Sequence, residues 1–212
     1  MEPVGALRVS LDVGPAQWLA ADALVPPGFD AYARLLHPAV RWVDDSEVPV
    51  GWAQIAAADG TGPIGPATSW ESVAGDWAPD GHPGLWDDEP GEGQPAFAQA
   101  VRLAALLAAH TTDQERCWYA VWDGYGSLAL PRSGVPRVAL AGRSMLLLAG
   151  PLSAATTSLE RSPFDRRANL WWPADHAWFV ATDVTATSTM IAGSRSLIDA
   201  LLADEALETV PI

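Results

Sequence analysis

Residues 169–184 have the sequence NLWWPADHAWFVATDV, and the way this stretch packs decides the fold. Successive side chains of a strand point to opposite faces, so Trp178 shares one face with Val180, while Phe179 shares the other with Ala181. Both faces are apolar, which is typical of a central strand covered by helices on one side and by a second layer on the other. The stretch therefore predicts a sheet that is buried on both faces.

The remaining pattern groups strands and helices into separate runs. A second apolar strand, 188–194, follows after a few residues, so antiparallel pairing is the simplest connection. Other segments predict strands at 6–14, 117–126 and 143–150 and helices at 25–39, 95–110 and 194–207, with 50–60 undecided. Segregated runs favour an α+β fold. We expect a mainly antiparallel sheet of four to six strands, with helices packed on one face.

The predicted helix 95–110 has an apolar face that we expect to be buried. That face consists of Phe97, Val101, Ala105 and Ala108, and three leucines, Leu103, Leu106 and Leu107, widen it. The final helix has a capping pattern at its start, with Ser196 followed three residues later by Asp199.

Composition limits the classes of protein and partner. The chain has 212 residues, of which 49% are apolar, which fits one domain over 1–212 with a substantial core. The net charge of −14 disfavours binding to nucleic acid or to an anionic membrane, and it would attract a basic partner. The eleven tryptophans carry so much apolar surface that most of them must be buried, within this chain or against a partner.

A long stretch, about 59–95, is rich in glycine, proline and acidic residues, and its pattern predicts no regular structure. Loops of this length are often functional, although a solvated acidic surface is the simpler interpretation. Tryptophans can anchor a partner while surrounding charges steer its approach. The predicted partner-binding residues are Trp70, Asp76, Trp77, Asp80, Trp86, Asp87, Asp88, Glu89 and Glu92.

The sequence has no arrangement that is typical of a catalytic or metal centre. The single cysteine, Cys117, opens an apolar strand, where a buried thiol is more common than a nucleophile. The four histidines are scattered, and no phosphate-binding loop is present, so we expect no catalytic residues, metal or cofactor. The N-terminus lacks the pattern of a signal peptide, and no segment is suited to span a bilayer, so we expect a cytoplasmic protein.

An alternative ligand site would use Trp171, Trp172, Asp175 and His176 in a small-molecule or carbohydrate-processing enzyme. The two tryptophans precede a proline and should be extended. We favour packing for both, with one covering the sheet edge and the other half exposed. Asp175 and His176 are expected in a turn, because neighbours in an extended chain face apart.

Two segments resemble the SUKH immunity superfamily. Residues 24–36, LVPPGFDAYARLL, are similar to its entry segment, and residues 178–202, WFVATDVTATSTMIAGSRSLIDALL, are similar to its closing strands and helix. The combination of CWYAVWDGYG at 117–126 with the stretch 169–184 also resembles an uncharacterised bacterial family. The first resemblance implies an acidic α+β domain that neutralises a toxin.

The sequence thus favours a non-enzymatic, tryptophan-rich binding protein, which the resemblance narrows to a toxin-neutralising immunity protein. The expected partner is a basic protein. Two alternatives stay open: the enzyme with a tryptophan-lined site described above, and a structural subunit whose tryptophans are covered by self-association.

Overall fold

The computed structural model describes residues 5–77, 81–161 and 165–212 and has an α+β fold. Every strand pair among these residues is antiparallel. The strands are β1 Arg8–Val9, β2 Ala31–Leu36, β3 Ala39–Val43, β4 Ser46–Val50, β5 Cys117–Trp122, β6 Val138–Leu140, β7 Arg143–Gly150, β8 Leu170–Pro173, β9 Trp178–Ala181, β10 Ser188–Gly193 and β11 Thr209–Pro211. The helices are α1 Trp52–Asp59, α2 Trp70–Ala74, α3 Phe97–Ala108 and α4 Arg195–Leu202.

The main sheet has nine strands, more than the four to six that the sequence predicts. Its order is β1-β7-β5-β8-β9-β10-β2-β11, and β6 pairs with β7 at the same edge as β1. The extra strands are the short edge strands β6 and β11, the short central strand β8, and β2, which the sequence analysis assigned to a helix. Strands β3 and β4 form a separate hairpin.

The two faces of the sheet alternate as the sequence predicts. Trp178 and Val180 belong to one apolar cluster, which α3 and α4 cover through the buried leucines of both helices. Phe179 and Ala181 belong to a second cluster on the opposite face, which the N-terminal segment 16–29 covers. Strand β9 is therefore buried on both sides, and the expectation of a central strand is confirmed.

The helix predicted at 25–39 is wrong, because residues 31–36 form β2. This strand pairs with β10 over its whole length and with β11 on its other side. Ala33 and Leu35 lie in the helix-covered cluster while Tyr32 packs on the opposite face. A short apolar run fits both the helical and the strand periodicity. Pairing with two strands that are distant in sequence makes this run a strand.

The buried face of α3 also differs from the prediction. Its buried residues are Gln99, Ala100, Leu103 and Leu107, whereas Phe97 is 57% exposed and Val101 is 46% exposed. Gln99 faces inward because its side chain has specific partners: it accepts from the Ala96 N–H at 3.2 Å and donates to the Leu36 carbonyl at 2.8 Å. Hydrophobicity alone gives no sign of this polar contact.

A third apolar cluster lies beside the sheet and includes β4, α1 and α2. Its largest members are Trp52, Trp70 and Trp86, with ring centroids 5.6 Å apart for the first pair and 5.1 Å for the second. Glu208, just before β11, ties this cluster to the end of the chain. Its carboxylate accepts from the first two N–H groups of α1, Trp52 at 2.7 Å and Ala53 at 2.6 Å, and so caps that helix.

The N-cap of α4 lies two residues before Ser196, the cap predicted from the sequence. The N-cap is Ser194, whose hydroxyl accepts from the Leu197 N–H at 3.3 Å, and Ser196 lies inside the helix. None of the helices among the described residues is long and apolar enough to cross a membrane.

Candidate functional site

Most of the net charge is concentrated in one part of the chain. Residues 37–92, called the acidic segment from here on, contain eleven of the 26 acidic residues and one of the twelve arginines. The segment therefore carries −10 of the total −14. It includes the β3–β4 hairpin, α1, α2 and the third apolar cluster. An acidic field of this density attracts cations and basic surfaces.

The structure separates the partner-binding residues predicted from the sequence into two groups. Trp70 and Trp86 are 3% and 1% exposed, and both form part of the chain's own core. Trp77 is 42% exposed and lies on the surface. The acidic side chains Asp76, Asp87, Asp88, Glu89 and Glu92 are exposed as well, and Asp80 lies outside the described residues.

A second exposed tryptophan, Trp42, was missed by the sequence analysis. It lies on β3, is 49% exposed, and donates from Nε1 to Asp88 at 2.6 Å, while its backbone N–H donates to Asp87 at 2.8 Å. The hairpin turns at Asp44 and Asp45, both with positive φ, a conformation that aspartate tolerates. Two adjacent aspartates directly after the apolar pair Trp42-Val43 were the sequence signal that could have revealed this hairpin.

The two tryptophans of the alternative ligand site lie on opposite faces of β8. Trp171 is 1% exposed, belongs to the helix-covered cluster and donates from Nε1 to the Ala168 carbonyl at 2.9 Å. Trp172 is fully buried in the opposite cluster and stacks on Phe179 with centroids 5.6 Å apart. The expectation that one of them is half exposed is wrong, because both faces of the sheet are covered at β8.

Asp175 and His176 lie in the exposed turn between β8 and β9. Partial burial raises the pKa of the Asp175 carboxyl. Hydrogen bonds from the Thr112 N–H at 2.9 Å and from the Thr111 hydroxyl outweigh this effect, so the pKa lies below its usual value. The His176 ring stacks on Trp18, with centroids 4.2 Å apart. The four residues of this alternative site therefore do not converge on a common space.

A polar cleft of about 290 Å³ opens between the start of α2 and residues 185–188 at the start of β10. Hydroxyl groups contribute much of its surface. Its charged and aromatic lining consists of Arg34, Trp52, Trp70, Glu71, Glu89 and Glu92. The four charged groups give the cleft a net charge of −2 when all are ionised.

Arg34 is fixed within this cleft by the chain itself. Its guanidinium carbon lies 5.5 Å from the centroid of Trp52, and the group donates to the carbonyls of Pro66, at 2.8 Å, and Thr68. Burial lowers the pKa of this guanidinium, which still remains a cation at neutral pH. These bonds use only some of the five N–H groups of the guanidinium, and its Nε is buried without a partner among the described residues.

A buried polar network centred on His37 adjoins the cleft, because it bonds to the sequence neighbours of Glu92 and Ser188. The ring is 1% exposed and its Nδ1 donates to the Gly91 carbonyl at 2.6 Å. Its Nε2 then accepts from the Thr189 hydroxyl at 2.8 Å, and that oxygen lies 2.7 Å from the Thr182 hydroxyl. Burial lowers the pKa of His37 to about 4, so the ring is neutral and its Nε2, which carries no proton, is an acceptor.

The network belongs to a wider set of buried polar side chains that hold residues 91–96 in place. Asn169 donates to the Gly93 carbonyl at 3.0 Å, and Arg167 donates to the Pro95 carbonyl at 2.7 Å. Gly93 has φ 80, and a Cβ there would lie 2.9 Å from the Tyr125 hydroxyl, so no other residue fits without displacement. Glu92 is thus held at the rim of the cleft by a rigid backbone.

Two further features bear on chemistry. Cys117 is 1% exposed, and burial raises the pKa of its thiol to about 12, so it stays protonated. Within the described ranges, no group of three histidine, cysteine, aspartate or glutamate side chains is placed to hold a metal ion.

Comparison with known proteins gives no relative: no family model, curated protein or solved structure matches this chain.

Proposed function

We propose that this chain is a non-enzymatic binding protein whose acidic segment holds a basic partner protein. The observation that carries the proposal is the concentration of charge: 56 residues contain −10 of the −14 net charge, together with the exposed Trp42 and Trp77. Such a field raises the rate of encounter with a basic surface, and exposed tryptophans supply the apolar contact that slows dissociation.

The resemblance to the SUKH immunity superfamily supports a narrower form of the proposal, in which the partner is a basic toxin and binding neutralises it. In this form the protein acts in the cytoplasm, where a toxin would threaten its own cell. The buried, protonated Cys117 is compatible with that compartment.

The first experiment is capture of the partner from native lysate with tagged protein at low and at high salt, followed by titration calorimetry with the purified partner. We expect one basic protein to bind at low salt and to be released at high salt, because salt screens exposed charges beyond roughly 8 Å. Replacing both Trp42 and Trp77 by alanine should weaken binding by about thirtyfold or more, since hot-spot residues contribute at least about 2 kcal/mol.

Charge variants test the electrostatic part. Asp76→Asn, Asp87→Asn and Asp88→Asn together should slow association by about tenfold, and the amides keep an acceptor for Trp42. The matched control removes three exposed acids outside the segment, Glu115→Gln, Asp199→Asn and Glu205→Gln, and should bind like the unaltered protein. Equal losses in both sets would contradict a localised binding surface.

The immunity form has its own test. Co-production of this chain should restore growth to cells that make the captured basic protein, and the double tryptophan variant should not. A captured partner that is harmless to cells would refute this narrower form and leave the binding function standing.

A further inference from the structure

Helix α3 has an apolar face on the protein surface, opposite the face that packs on the sheet. The inward side includes Ala100, Leu103 and Leu107. On the other side, called the outer face from here on, Phe97 is 57% exposed and Val101 is 46% exposed. A helix that is apolar on both sides is normally enclosed, and an exposed apolar patch marks a place of contact with another molecule.

The outer face has a large side chain, Phe97, at one end and a hollow at the other. The hollow has a volume of about 240 Å³, and its apolar lining consists of Ala104, Ala105, Ala108, Pro151 and Leu152. An apolar cavity of about 150 Å³ can hold a benzene molecule, so this hollow has room for a phenyl ring. Phe97 lies eight residues before Ala105, a separation of about 12 Å along the helix axis.

This arrangement is complementary to itself. Val101 lies midway, four residues after Phe97 and four before Ala105. A half turn about an axis through this midpoint therefore places Phe97 of each copy over the hollow of the other. A two-fold contact uses the same patch on both copies, and side chains of one helix that enter spaces between residues of the other give close helix packing.

Charge on α3 suits contact between two copies of this acidic chain. Arg102 is the one charged residue of the helix, and Asp204 of the same chain neutralises it at 2.6 Å. The outer face therefore adds no like charge to the repulsion between two chains that each carry −14. A basic partner, by contrast, is attracted to the acidic segment with its −10.

The available area corresponds to a weak dimer. The helix has 12 residues and a length of about 18 Å. Antiparallel contact along this length, together with the rims of both hollows, buries on the order of 1,000 Å² in total, which is near the lower limit for a specific interface. We therefore expect a dissociation constant of about 10–100 µM.

From these observations we infer that two copies of this chain pair through the outer face of α3, with the two helices antiparallel. Phe97 of each copy fills the hollow of the other, and the two Val101 side chains meet at the two-fold axis. The inference does not rest on the proposed protein-binding function, because α3 lies outside the acidic segment.

The test is sedimentation velocity of the full chain from about 5 to about 500 µM, at about 50 and about 500 mM salt. We expect an equilibrium of monomer and dimer that is about threefold tighter at high salt, because salt screens the repulsion between two acidic chains. A chain that stays monomeric up to about 500 µM at both salt concentrations overturns the inference. So does a dimer that is weaker at high salt, since charged surfaces would then form the contact.

Paired variants locate the contact. Phe97→Asp removes the ring and Ala105→Lys blocks the hollow, so each alone should weaken self-association by about thirtyfold or more. An equal mixture of the two variants should form a mixed dimer within about tenfold of the original affinity. In that dimer one phenyl ring meets an unaltered hollow, and the introduced aspartate faces the introduced lysine. A mixture that stays monomeric would refute the antiparallel arrangement.

The matched control is Leu11→Asp, which adds the same charge at a residue that is 61% exposed and lies outside α3. It should leave self-association within about twofold, since it only adds to the overall repulsion. An equal loss in this control would show a general charge effect and contradict a contact at Phe97. Ala105 and Phe97 are both exposed, so the fold should persist in all variants, which circular dichroism checks.

The result is independent of the proposed protein-binding function. Self-association is measured without a partner and should increase with salt, whereas partner binding should decrease. Phe97→Asp should leave the affinity for the basic partner within about twofold, and the double variant of Trp42 and Trp77 should leave self-association unchanged. Loss of both interactions in either variant would contradict two separate surfaces.

Discussion

The nine-stranded sheet and the acidic segment both bury tryptophans, but they differ in net charge. Trp171, Trp172 and Trp178 are buried within the sheet clusters, while Trp52 and Trp70 are buried within the acidic segment. The sheet and its coverings, all residues outside 37–92, hold fifteen acids and eleven arginines and carry only −4. Both regions therefore have a buried core, whereas most of the net charge lies in the acidic segment.

Polar side chains link the two regions. Glu208 reaches from the end of the sheet to cap α1, and His37 binds both the Gly91 carbonyl and Thr189 of β10. Like charges repel within the acidic segment, and these bonds hold that segment against the more neutral sheet.

The largest effect is expected in the sheet. Trp172→Ala should lower the free energy of unfolding by about 3–5 kcal/mol, because it leaves a large cavity in a fully covered face. Urea unfolding followed by circular dichroism measures the change. A loss below about 1 kcal/mol would mean that the ring is not part of a packed core and would reopen the alternative ligand site.

A pH effect should follow from the contact between the regions. The pKa of His37 falls from 6.5 in the unfolded chain to about 4 in the fold, so the unfolded chain binds more protons between these values. Above pH 6.5, His37 makes its full contribution to the free energy of unfolding. As the pH falls towards 4, that free energy decreases by about 3 kcal/mol in total. The difference in unfolding free energy between this protein and His37→Gln, measured from pH 7 to pH 4, should shrink by that amount. A constant difference would contradict burial of a neutral ring.

A smaller effect is expected for the cap of α1. Glu208→Gln should cost about 1–2 kcal/mol, because the helix loses a charged acceptor for two N–H groups. Hydrogen exchange should speed up in α1 and leave β9 unchanged, which distinguishes a local effect from a global one. Glu205→Gln, an exposed acid in the same loop, is the control and should alter neither region.

The smallest effect is expected on the surface of the acidic segment. Trp77→Ala should change the unfolding free energy by less than about 0.5 kcal/mol, since the ring is 42% exposed. Thermal unfolding compares it with Trp172→Ala, the same substitution in a buried position. A cost near that of Trp172 would show that Trp77 supports the fold and is not reserved for a partner.

Local patterns predicted the parts of the fold that depend on local periodicity. Helix α3, helix α4 and strands β5, β7, β9 and β10 were found where the sequence placed them. The predicted buried face of α3 was wrong, because Gln99 faces inward and donates to the Leu36 carbonyl, 63 residues away in sequence. The hairpin of Trp42 and the helix α2 were missed, because short elements depend on packing against the third cluster.

The polar cleft was not predicted because its parts come from distant segments. Arg34 was assigned to a helix, Glu89 and Glu92 to an irregular loop, and residues 185–187 to a simple connection. Only the pairing of β2 with β10 brings the first and last of these together. His37 gave no sign of its role, since a single histidine in an apolar stretch has no characteristic spacing.

The sequence by itself determined the α+β class, the two apolar faces of β9 and the strong acidity, because composition and short-range periodicity are properties of neighbouring residues. The tertiary structure alone decided that residues 31–36 are a strand, that Trp70 and Trp86 are buried while Trp42 and Trp77 are exposed, and that Arg34 lines the same cleft as three glutamates. These outcomes depend on contacts between segments far apart in the chain, whose energies exceed local preference.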